Sequence, residues 1–492
     1  MALTRNDRDP KIVLFEASNY RKEIILMDTS LLLPDSFWPL LLAFSGCFTA
    51  PSFGNFCAVV TGWIQCLGRH TVTNVALASG ELHRRHVSTF HRFFSTAQWS
   101  LDRLGLVVAG LALTFIPGSQ LIVLLDDTLA RKTGKHISLA SMHFDPLLSS
   151  ARRPFCSFGH VWVVLSLWVP FAFSHGQRGF SLPILFRPFV GSKRGGQQDA
   201  PSRPSRSTRT PAMTDPAEHL TKLQLARDMV ALLAAWAGER TLELLVVFDS
   251  AYAGRAMLEK RPKNVEFISR LRMDAALWTL PPAQQSGQRG RPRRRGERLP
   301  HPADWAAAQH EWERLQIQIY GRTVETLVFT KTAMWYVALR EQAVKIVIVR
   351  DPSGRRKDEA FFCTDVQAEA ACILQTYSAR WTLEVAFRDV KQELGFEDPQ
   401  QRLELAVRRT APMACLVHDL VLLWKAGCYQ PGQPATWVER PWYRRKTAPS
   451  FADLLTELRL AAWRQRLFDL PCGSRWSKKS LSPWDLAVLA TA

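Results

Sequence analysis

Two apolar runs that each end in aspartate restrict the possible folds of this chain more than any other feature. Leu121–Leu125 is followed by Asp126 and Asp127, and Leu244–Phe248 is followed by Asp249. A continuous apolar run bounded by turn residues is typical of a strand that is buried on both faces of a sheet. The chain is therefore predicted to be an α/β protein with a buried sheet at its centre.

Aspartates at the ends of buried strands need a partner, because an unpaired carboxylate is costly to bury. A single aspartate could simply cap the segment that follows its strand. Two adjacent aspartates followed by Thr128 are more typical of a metal site.

A third acidic residue, Glu384, lies in a stretch that we interpret as one helix running from Tyr377 to Lys391. Successive residues of a helix are rotated by about 100°. With this rotation, one face of the helix carries the carboxylate together with cations and a phenol, and an apolar stripe lies beside that face. The residues on this face are Tyr377, Arg380, Glu384, Arg388 and Lys391. The same spacing is equally consistent with an exposed helix stabilised by i,i+4 ion pairs.

The aspartates and Glu384 together could hold two divalent cations. Hard oxygen ligands suit Mg²⁺ or Mn²⁺. Two such ions about 4 Å apart can activate a water or a 3′-OH and stabilise the leaving oxygen of a phosphodiester. The residues predicted to be catalytic are Asp126, Asp127, Asp249 and Glu384.

Only one of the two adjacent aspartates is expected to be the principal metal ligand, because neighbouring residues of a strand point to opposite faces. Either Asp126 or Asp127 fits the sequence, and Asp126 is slightly favoured. The predicted metal ligands are Asp126, Asp249 and Glu384.

The side chains around Glu384 fit the same chemistry. Arg380 offers a bidentate fork to phosphate oxygens and Lys391 a point charge. No phosphate-binding loop of the form GxxxxGK[ST] competes with this interpretation, and GxSxG and HExxH are also absent. The predicted DNA-binding residues are Tyr377, Arg380, Lys391 and Arg388.

The net charge of the chain supports an anionic partner. Its 492 residues have a formal net charge of +19, which favours nucleic acid or a membrane surface as the partner. Prolines interrupt the apolar stretch 31–60, and the N-terminus lacks the shape of a signal peptide, so no membrane segment is predicted. The nine cysteines form no CxxC pair and are interpreted as reduced core residues of a cytosolic protein.

The chain before the first apolar run is predicted to be helical, as is the chain after residue 402. Thr71–Ser79 and His86–Ser95 flank Gly80, and the second of these helices has aromatic residues on one side. A helix-turn-helix would place such a helix in the DNA major groove, whereas a plain helical bundle has the same pattern. The later helices are predicted at Leu403–Ala426 and Phe451–Leu467.

A β-rich block is predicted between the strand Val265–Arg270 and the Glu384 helix. Its predicted strands are Leu315–Tyr320, Val324–Phe329, Trp335–Leu339, Val344–Val349 and Ala360–Thr364. Two low-complexity segments, 191–216 and 281–302, are rich in arginine. The first is expected to be a mobile loop, and the second is either a solvated loop or an arm that DNA orders.

Together these residues resemble the DDE transposases of the bacterial IS4-like superfamily, and they are most similar to its IS701 branch. The C-terminal signature of that family, Tyr-(2)-Arg-(3)-Glu-(6)-Lys, is matched by Tyr377, Arg380, Glu384 and Lys391. Segments 124–136 and 247–252 resemble the blocks that carry the family's first and second aspartates. The resemblance spans roughly residues 70–400.

The resemblance implies an RNase H-like (retroviral integrase-like) catalytic core with a β-rich insertion, flanked by helical N- and C-terminal regions. The implied domains are a helical DNA-binding region at 1–115, the first part of the core at 116–271, the insertion with its basic loop at 272–364, the glutamate helix of the core at 365–400, and a helical C-terminal region at 401–492. The implied cofactors are two Mg²⁺ or Mn²⁺ ions. The implied partners are double-stranded DNA, as transposon inverted-repeat ends and as target, and a second copy of the chain in a synaptic homodimer. A cytoplasmic, nucleoid-associated location follows from the same resemblance.

The family's reaction is cleavage at transposon ends followed by strand transfer, often through a hairpin at the transposon end. Two other functions are open: a catalytically inactive relative that only binds DNA ends, and a structure-specific nuclease on the same core. The presence of every acidic position argues against the inactive relative. His136 and His160 could lie near the site, but each is interpreted as a hydrogen-bonded structural histidine.

Overall fold

The structure is a computed structural model that describes residues 31–134, 136–150, 152–174, 179–190, 220–282, 293–319, 321–432, 437, 446 and 448–468. Its helices are α1 (Trp38–Leu42), α2 (Ala50–Gln65), α3 (Val72–Ala78), α4 (Val87–Ser95), α5 (Leu101–Ala112), α6 (Lys222–Gly238), α7 (Arg255–Leu258), α8 (Pro302–Ala308), α9 (Tyr336–Leu339), α10 (Ala370–Ser378), α11 (Trp381–Glu393), α12 (Glu404–Cys428) and α13 (Phe451–Phe468). Its strands are β1 (Gln120–Arg131), β2 (Ser141–Phe144), β3 (Cys156–Val169), β4 (Phe180–Phe189), β5 (Glu243–Phe248), β6 (Val265–Leu271), β7 (Leu277–Trp278), β8 (Arg298–Leu299), β9 (Glu313–Ile319), β10 (Arg322–Met334), β11 (Ala343–Arg350) and β12 (Glu359–Cys363).

A mixed sheet of 12 strands lies at the centre of the described structure. β1 pairs antiparallel with β3 and parallel with β5, β5 pairs parallel with β6, and β4 pairs with β3. β3 and β5 are buried along most of their length, which explains why their sequences are nearly continuous apolar runs rather than alternating ones. The prediction of an α/β protein with a buried sheet is confirmed.

Helices cover both faces of this sheet near β1. α6 packs against β3, β4 and β5, whereas α11 packs against β1 and β4. α6 begins with a capping box, in which Thr221 accepts from the backbone of Gln224 and the Gln224 side chain accepts from the backbone of Thr221. This arrangement satisfies N–H groups that the first turn of a helix otherwise leaves unpaired.

The strands of the predicted β-rich block extend the central sheet instead of forming a separate one. β12 pairs antiparallel with β6, and β11 and β10 follow in order. The predicted strand at Trp335–Leu339 was wrong, because this segment contains the short helix α9. The chain must reverse here, since β10 ends at Met334 and Met334 lies opposite Ala343 of the antiparallel strand β11.

The predicted pair of helices around Gly80 is present as α3 and α4. Gly80 has a φ of 73°, a conformation that favours glycine. Three phenylalanines of α4 face the core, while His91 and Arg92 are exposed. The exposed side of α4 is thus polar and basic.

α12 joins the N-terminal helices to the rest of the protein. It packs against β4, α4 and α5. Its buried Arg409 stacks on the Trp99 ring at 4.2 Å and donates hydrogen bonds to the carbonyls of Ala97 and Trp99. The predicted N- and C-terminal helical regions are therefore packed together.

α12 is also long and apolar enough to cross a membrane, judged by length and composition alone. However, 78% of its apolar window is buried inside the protein. Burial of this kind is typical of the core helix of a globular protein.

The interpretation of every cysteine as a core residue was wrong for Cys156, Cys372 and Cys428, which are exposed. The other five described cysteines are buried, and none of the eight described ones forms a disulfide. The basic segment 191–216 and residues 283–292 of the second basic segment lie outside the described residues.

Candidate active site

The two adjacent aspartates of β1 point to opposite faces of the sheet. Asp126 accepts a hydrogen bond from Nη1 of Arg380 at 2.6 Å, on the face that α11 covers. Asp127 accepts from the Tyr252 hydroxyl at 2.8 Å and from Nζ of Lys222, at the start of α6, at 2.7 Å. The alternation of a strand therefore gives the two carboxylates separate surroundings.

Asp249 lies on the same side as Asp126. In the parallel pairing of β1 with β5, Leu125 lies opposite Phe248, and Asp249 is the first residue after β5. Asp249 is close enough to Asp126 that its negative charge raises the pKa of the Asp126 carboxyl group. Residues in register on neighbouring strands share a face and lie about 5 Å apart. Oδ1 of Asp249 accepts a hydrogen bond from the N–H of Ala251 at 2.9 Å, which stabilises the turn after β5.

The pKa of Asp126 is raised to about 7, chiefly because its carboxyl group is buried. The guanidinium of Arg380 and the N–H of Asp127 act in the opposite direction, while the negative charge of Asp249 adds to the increase. A carboxylate in this position depends on a neighbouring cation to stay ionised.

Arg380 is that cation, and it connects two of the predicted acidic residues. Its Nη1 lies 2.6 Å from Oδ2 of Asp126, and its Nη2 lies 2.7 Å from Oε1 of Glu384. The side chains of Asp126 and Arg380 are 17% and 19% exposed, and that of Glu384 is 35% exposed. The bridge is therefore largely shielded from water, with an opening on the side of Glu384.

The stretch from Tyr377 to Lys391 is not one helix, so that prediction was wrong. α10 ends at Ser378 and α11 begins at Trp381. Between them the N–H of Arg380 bonds to the carbonyl of Tyr377, three residues earlier, at 3.1 Å, as in a 3₁₀ turn. The tighter turn means that the helical projection of α11 does not extend back to Tyr377.

Tyr377 lies close to Arg380 in spite of this break. Its ring packs edge-on against Phe361, with centroids 4.8 Å apart. Burial raises the pKa of its hydroxyl, and the Arg380 guanidinium partly offsets that increase. The phenol is therefore protonated near neutral pH and can donate a hydrogen bond.

Lys391 and Arg388 differ in their accessibility. Nζ of Lys391 donates to the carbonyl of Leu129 on β1 at 2.7 Å and lies 3.6 Å from Glu397. Burial lowers the pKa of Lys391. Arg388 is 58% exposed and pairs with the adjacent Asp389 at 3.0 Å, so it is the more accessible of the two cations.

The sequence reasoning did not single out Lys222 or Tyr252, although both contact Asp127. The position of Tyr252, three residues after Asp249, was an available signal, because a tight turn after a strand brings such a side chain back toward the neighbouring strand. Lys222 had no local signal, since its partner lies 95 residues away in the chain.

The two predicted histidines are outside this constellation. Nε2 of His160 donates to the carbonyl of Ser138 at 2.8 Å, and the side chain is buried, which agrees with the interpretation of a structural histidine. His136 is exposed.

The described residues contain no group of three or more His, Cys, Asp or Glu side chains already arranged to hold a metal ion. The donor chemistry nevertheless fits a hard divalent cation, because Asp126, Asp249 and Glu384 supply carboxylate oxygens. Their shared negative charge also requires a cation nearby. Arg380 supplies that positive charge in this structure.

Carboxylates that can share divalent ions are typical of enzymes that act on phosphodiesters. The chain belongs to the family of DDE superfamily endonucleases, whose sequence model matches residues 43–325. This match covers more than half of the 492 residues and includes Asp126, Asp127 and Asp249, whereas Glu384 lies beyond it. No curated protein matches the chain.

Membership of this family supports an activity of the transposase or nuclease type, with DNA as the substrate. Enzymes of this superfamily generally depend on divalent metal ions.

Proposed function

We propose that the protein is a DDE transposase of the IS4-like superfamily, close to its IS701 branch. It cleaves double-stranded DNA at transposon ends and transfers the cut strand to target DNA, either directly or through hairpin ends. The observation that carries this proposal is the position of Asp126 and Asp249 on one face of the sheet, with Arg380 linking Asp126 to Glu384.

The catalytic core is proposed to be RNase H-like. Three antiparallel strands, β4, β3 and β1, are followed across the sheet by the two parallel strands β5 and β6. This order supports the proposal, as does the position of α11 against β1.

Asp126, Asp249 and Glu384 are the proposed ligands of two Mg²⁺ or Mn²⁺ ions. When bound, these ions supply the activation of a water or 3′-OH and the stabilisation of the leaving oxygen. Asp127 has a different proposed role, because it holds Lys222 and Tyr252 on the opposite face of β1.

The cations around Glu384 are the proposed phosphate-binding groups. Arg388 is exposed and can reach the DNA backbone by giving up its ion pair with the adjacent Asp389. Lys391 is more enclosed, because its Nζ already donates to the carbonyl of Leu129 and lies 3.6 Å from Glu397, and it can offer a phosphate its remaining N–H donors. Tyr377 is protonated and can donate its hydroxyl hydrogen to a phosphate.

The proposed partners are transposon-end DNA, target DNA and a second copy of the chain that holds the other transposon end. The formal charge of +19 favours association with DNA. The proposed place of action is the bacterial cytoplasm, on nucleoid DNA.

The proposed metal site is tested by measuring how fast the variant Glu384→Gln cleaves transposon-end DNA. This DNA substrate is taken from paired inverted repeats in the sequence that flanks the gene. Loss of the ligand is expected to reduce Mg²⁺-dependent cleavage by at least about 100-fold, or about 2.7 kcal/mol of transition-state stabilisation, with DNA binding nearly unchanged.

Glu404→Gln is the matched control, because Glu404 lies on the surface of α12 in an ion pair with Arg408. Cleavage by Glu384→Gln at the rate of this control would show that the site assignment is wrong. Wild-type binding without cleavage would indicate an inactive relative, and cleavage without joining would indicate a nuclease.

A further inference from the structure

We propose that Arg380 is an internal counter-ion that closes the metal site in the DNA-free protein, and that a phosphate of the DNA backbone releases it. This inference rests on the proposed function, because the carboxylates that Arg380 occupies are the proposed metal ligands. It makes the binding of DNA and the binding of a divalent cation depend on each other.

The Arg380 guanidinium bridges two carboxylates, those of Asp126 and Glu384, instead of binding one carboxylate in bidentate geometry. Nη1 lies 2.6 Å from Oδ2 of Asp126 and Nη2 lies 2.7 Å from Oε1 of Glu384. Oδ1 of Asp126 accepts the N–H of Asp127 at 2.8 Å. Both terminal nitrogens of the fork are therefore engaged on proposed metal ligands.

A divalent ion and this guanidinium compete for the same oxygens. Mg²⁺ binds oxygen at about 2.1 Å, so two oxygens that share one ion lie no more than about 4.2 Å apart. A guanidinium held at hydrogen-bonding distance from both oxygens stands where the ion would lie. Arg380 must leave before Asp126 and Glu384 can share a metal.

Arg380 differs from an arginine with a structural role. Arg409 is 7% exposed and donates to the backbone carbonyls of Ala97 and Trp99, which carry no net charge to attract a competing divalent cation. Arg380 is bound to carboxylates, and its Nε has no hydrogen-bond partner within the described part of the chain.

A phosphate can replace both carboxylates on this fork. Phosphate oxygens accept the paired N–H groups of a guanidinium in bidentate geometry. The Glu384 side of the bridge is the more exposed side, and Arg388 lies farther along the same helix with 58% of its side chain exposed. DNA that reaches Arg388 therefore brings phosphates to the open side of the bridge.

Binding of Mn²⁺ to the full-length, DNA-free protein tests the inference, with free Mn²⁺ measured by electron paramagnetic resonance. Arg380→Gln is expected to bind Mn²⁺ more tightly than wild type by about 5- to 150-fold, the usual range of coupling between sites. Arg408→Gln is the control, because Arg408 is a partly exposed arginine of α12 that pairs with Glu404, and this variant is expected to bind Mn²⁺ like wild type. A short DNA duplex is expected to tighten Mn²⁺ binding by wild type but not by Arg380→Gln.

Arg380→Lys keeps a positive charge beside the buried Asp126 and provides the test if Arg380→Gln does not fold. A lysine has no fork with which to span two carboxylates, so its Mn²⁺ affinity is expected to lie between those of wild type and Arg380→Gln. Equal or weaker Mn²⁺ binding by both variants, relative to wild type, would overturn the inference.

Glu384→Gln separates this outcome from a failure of the proposed function. If Glu384→Gln weakens Mn²⁺ binding while the Arg380 variants do not strengthen it, the proposed metal ligands are supported and the proposed role of Arg380 is wrong. If Glu384→Gln has no effect on Mn²⁺ binding even when added to Arg380→Gln, the proposed ligand set is wrong, and the inference fails with it.

Discussion

Asp126 and Asp127 are identical neighbours in the sequence, and their surroundings differ because β1 alternates its faces. Asp126 shares its face with Asp249 and Arg380. Asp127 instead accepts hydrogen bonds from Lys222 and Tyr252. These neighbours support the proposal that Asp126 is the principal metal ligand and that Asp127 fixes the strand.

Asp127→Asn is expected to leave Mn²⁺ binding by the DNA-bound protein intact and to lower the free energy of unfolding by about 1 kcal/mol. The variant loses the ion pair with Lys222, which is partly exposed, but an amide oxygen can still accept from Tyr252. Asp126→Asn is the comparison, and it is expected to lose Mn²⁺ binding. Mn²⁺ binding is measured by titration and the free energy of unfolding in urea. Loss of Mn²⁺ binding by Asp127→Asn but not by Asp126→Asn would make Asp127 the principal ligand.

At the scale of elements, contacts with the N-terminal helices fix the end of α11. Nε1 of Trp63, on α2, donates to the carbonyl of Leu394 at 2.9 Å. Gly395 then turns the chain with a φ of 60°, and the N–H of His70 donates to Asp398 at 2.8 Å. The direction in which α11 presents its glutamate therefore depends on helices far away in the sequence.

Gly395→Ala is expected to lower the free energy of unfolding by about 1–3 kcal/mol, the usual cost of a non-glycine residue in this backbone region. A Cβ at this position would lie 2.4 Å from Oδ2 of Asp398 and 2.7 Å from Cβ of His70. Gly427→Ala is the matched control, because a Cβ there meets nothing within 4 Å. The stability of each variant is measured by unfolding in denaturant. Equal unfolding midpoints for Gly395→Ala and Gly427→Ala would contradict this explanation of the turn.

The sequence predicted elements well where local pattern and tertiary structure agree. His86–Ser95 was predicted as a helix and α4 spans Val87–Ser95, with its buried residues Phe90, Phe93 and Phe94 at helical spacing. Trp335–Leu339 is rich in residues that favour strands, but the need to reverse the chain after β10 overrides that preference. The break between α10 and α11 contains no proline or glycine, so hydrogen bonding alone marks it.

The sequence marked the aspartates by their place after apolar runs, and this is accurate for Asp249, which directly follows β5. The predicted strand end at Leu125 was wrong, because β1 continues through Asp126 and Asp127 to Arg131, where it still pairs with β3. The bridge from Arg380 to Asp126 could not be predicted, because 254 residues separate the two. Long-range ion pairs of this kind depend on how the elements pack, and local pattern does not carry that information.

At the scale of the whole molecule, three histidines are buried in different parts of the protein. His70 follows α2, His160 lies on β3 and His418 lies on α12. Burial lowers the pKa of His70 and of His160 to about 4, and that of His418 to about 3. All three are therefore neutral in the folded protein near neutral pH.

Although the raised pKa values of the buried Asp126 and Asp419 act in the opposite direction, the three histidines are expected to lower the free energy of unfolding as the pH decreases from about 6.5 to about 4. The folded pKa values lie below the unfolded value of about 6.5, so the unfolded chain binds more protons in this range. At about 1.4 kcal/mol per pKa unit, each histidine accounts for a loss of roughly 2 kcal/mol at pH 5.

His160→Gln isolates one of these contributions. Nε2 of a glutamine can still donate to the carbonyl of Ser138, and Nδ1 of His160 is buried without a hydrogen-bond partner among the described residues. Urea unfolding at pH 7 and pH 5 is expected to show a decrease that is about 2 kcal/mol smaller in the variant. The same decrease in both proteins would show that His160 is not the source.

The central claim is that Asp126, Asp249 and Glu384 surround one metal centre. The most direct measurement replaces Mg²⁺ with Fe²⁺ in the full-length protein bound to a DNA duplex, adds ascorbate and hydrogen peroxide, and maps the backbone cuts by mass spectrometry. Radicals formed at the bound ion are expected to cut the chain close to residues 126, 249 and 384, and excess Mg²⁺ should suppress all three cuts together. Cuts that miss any one of these three regions, or that cluster elsewhere in the chain, would contradict the account.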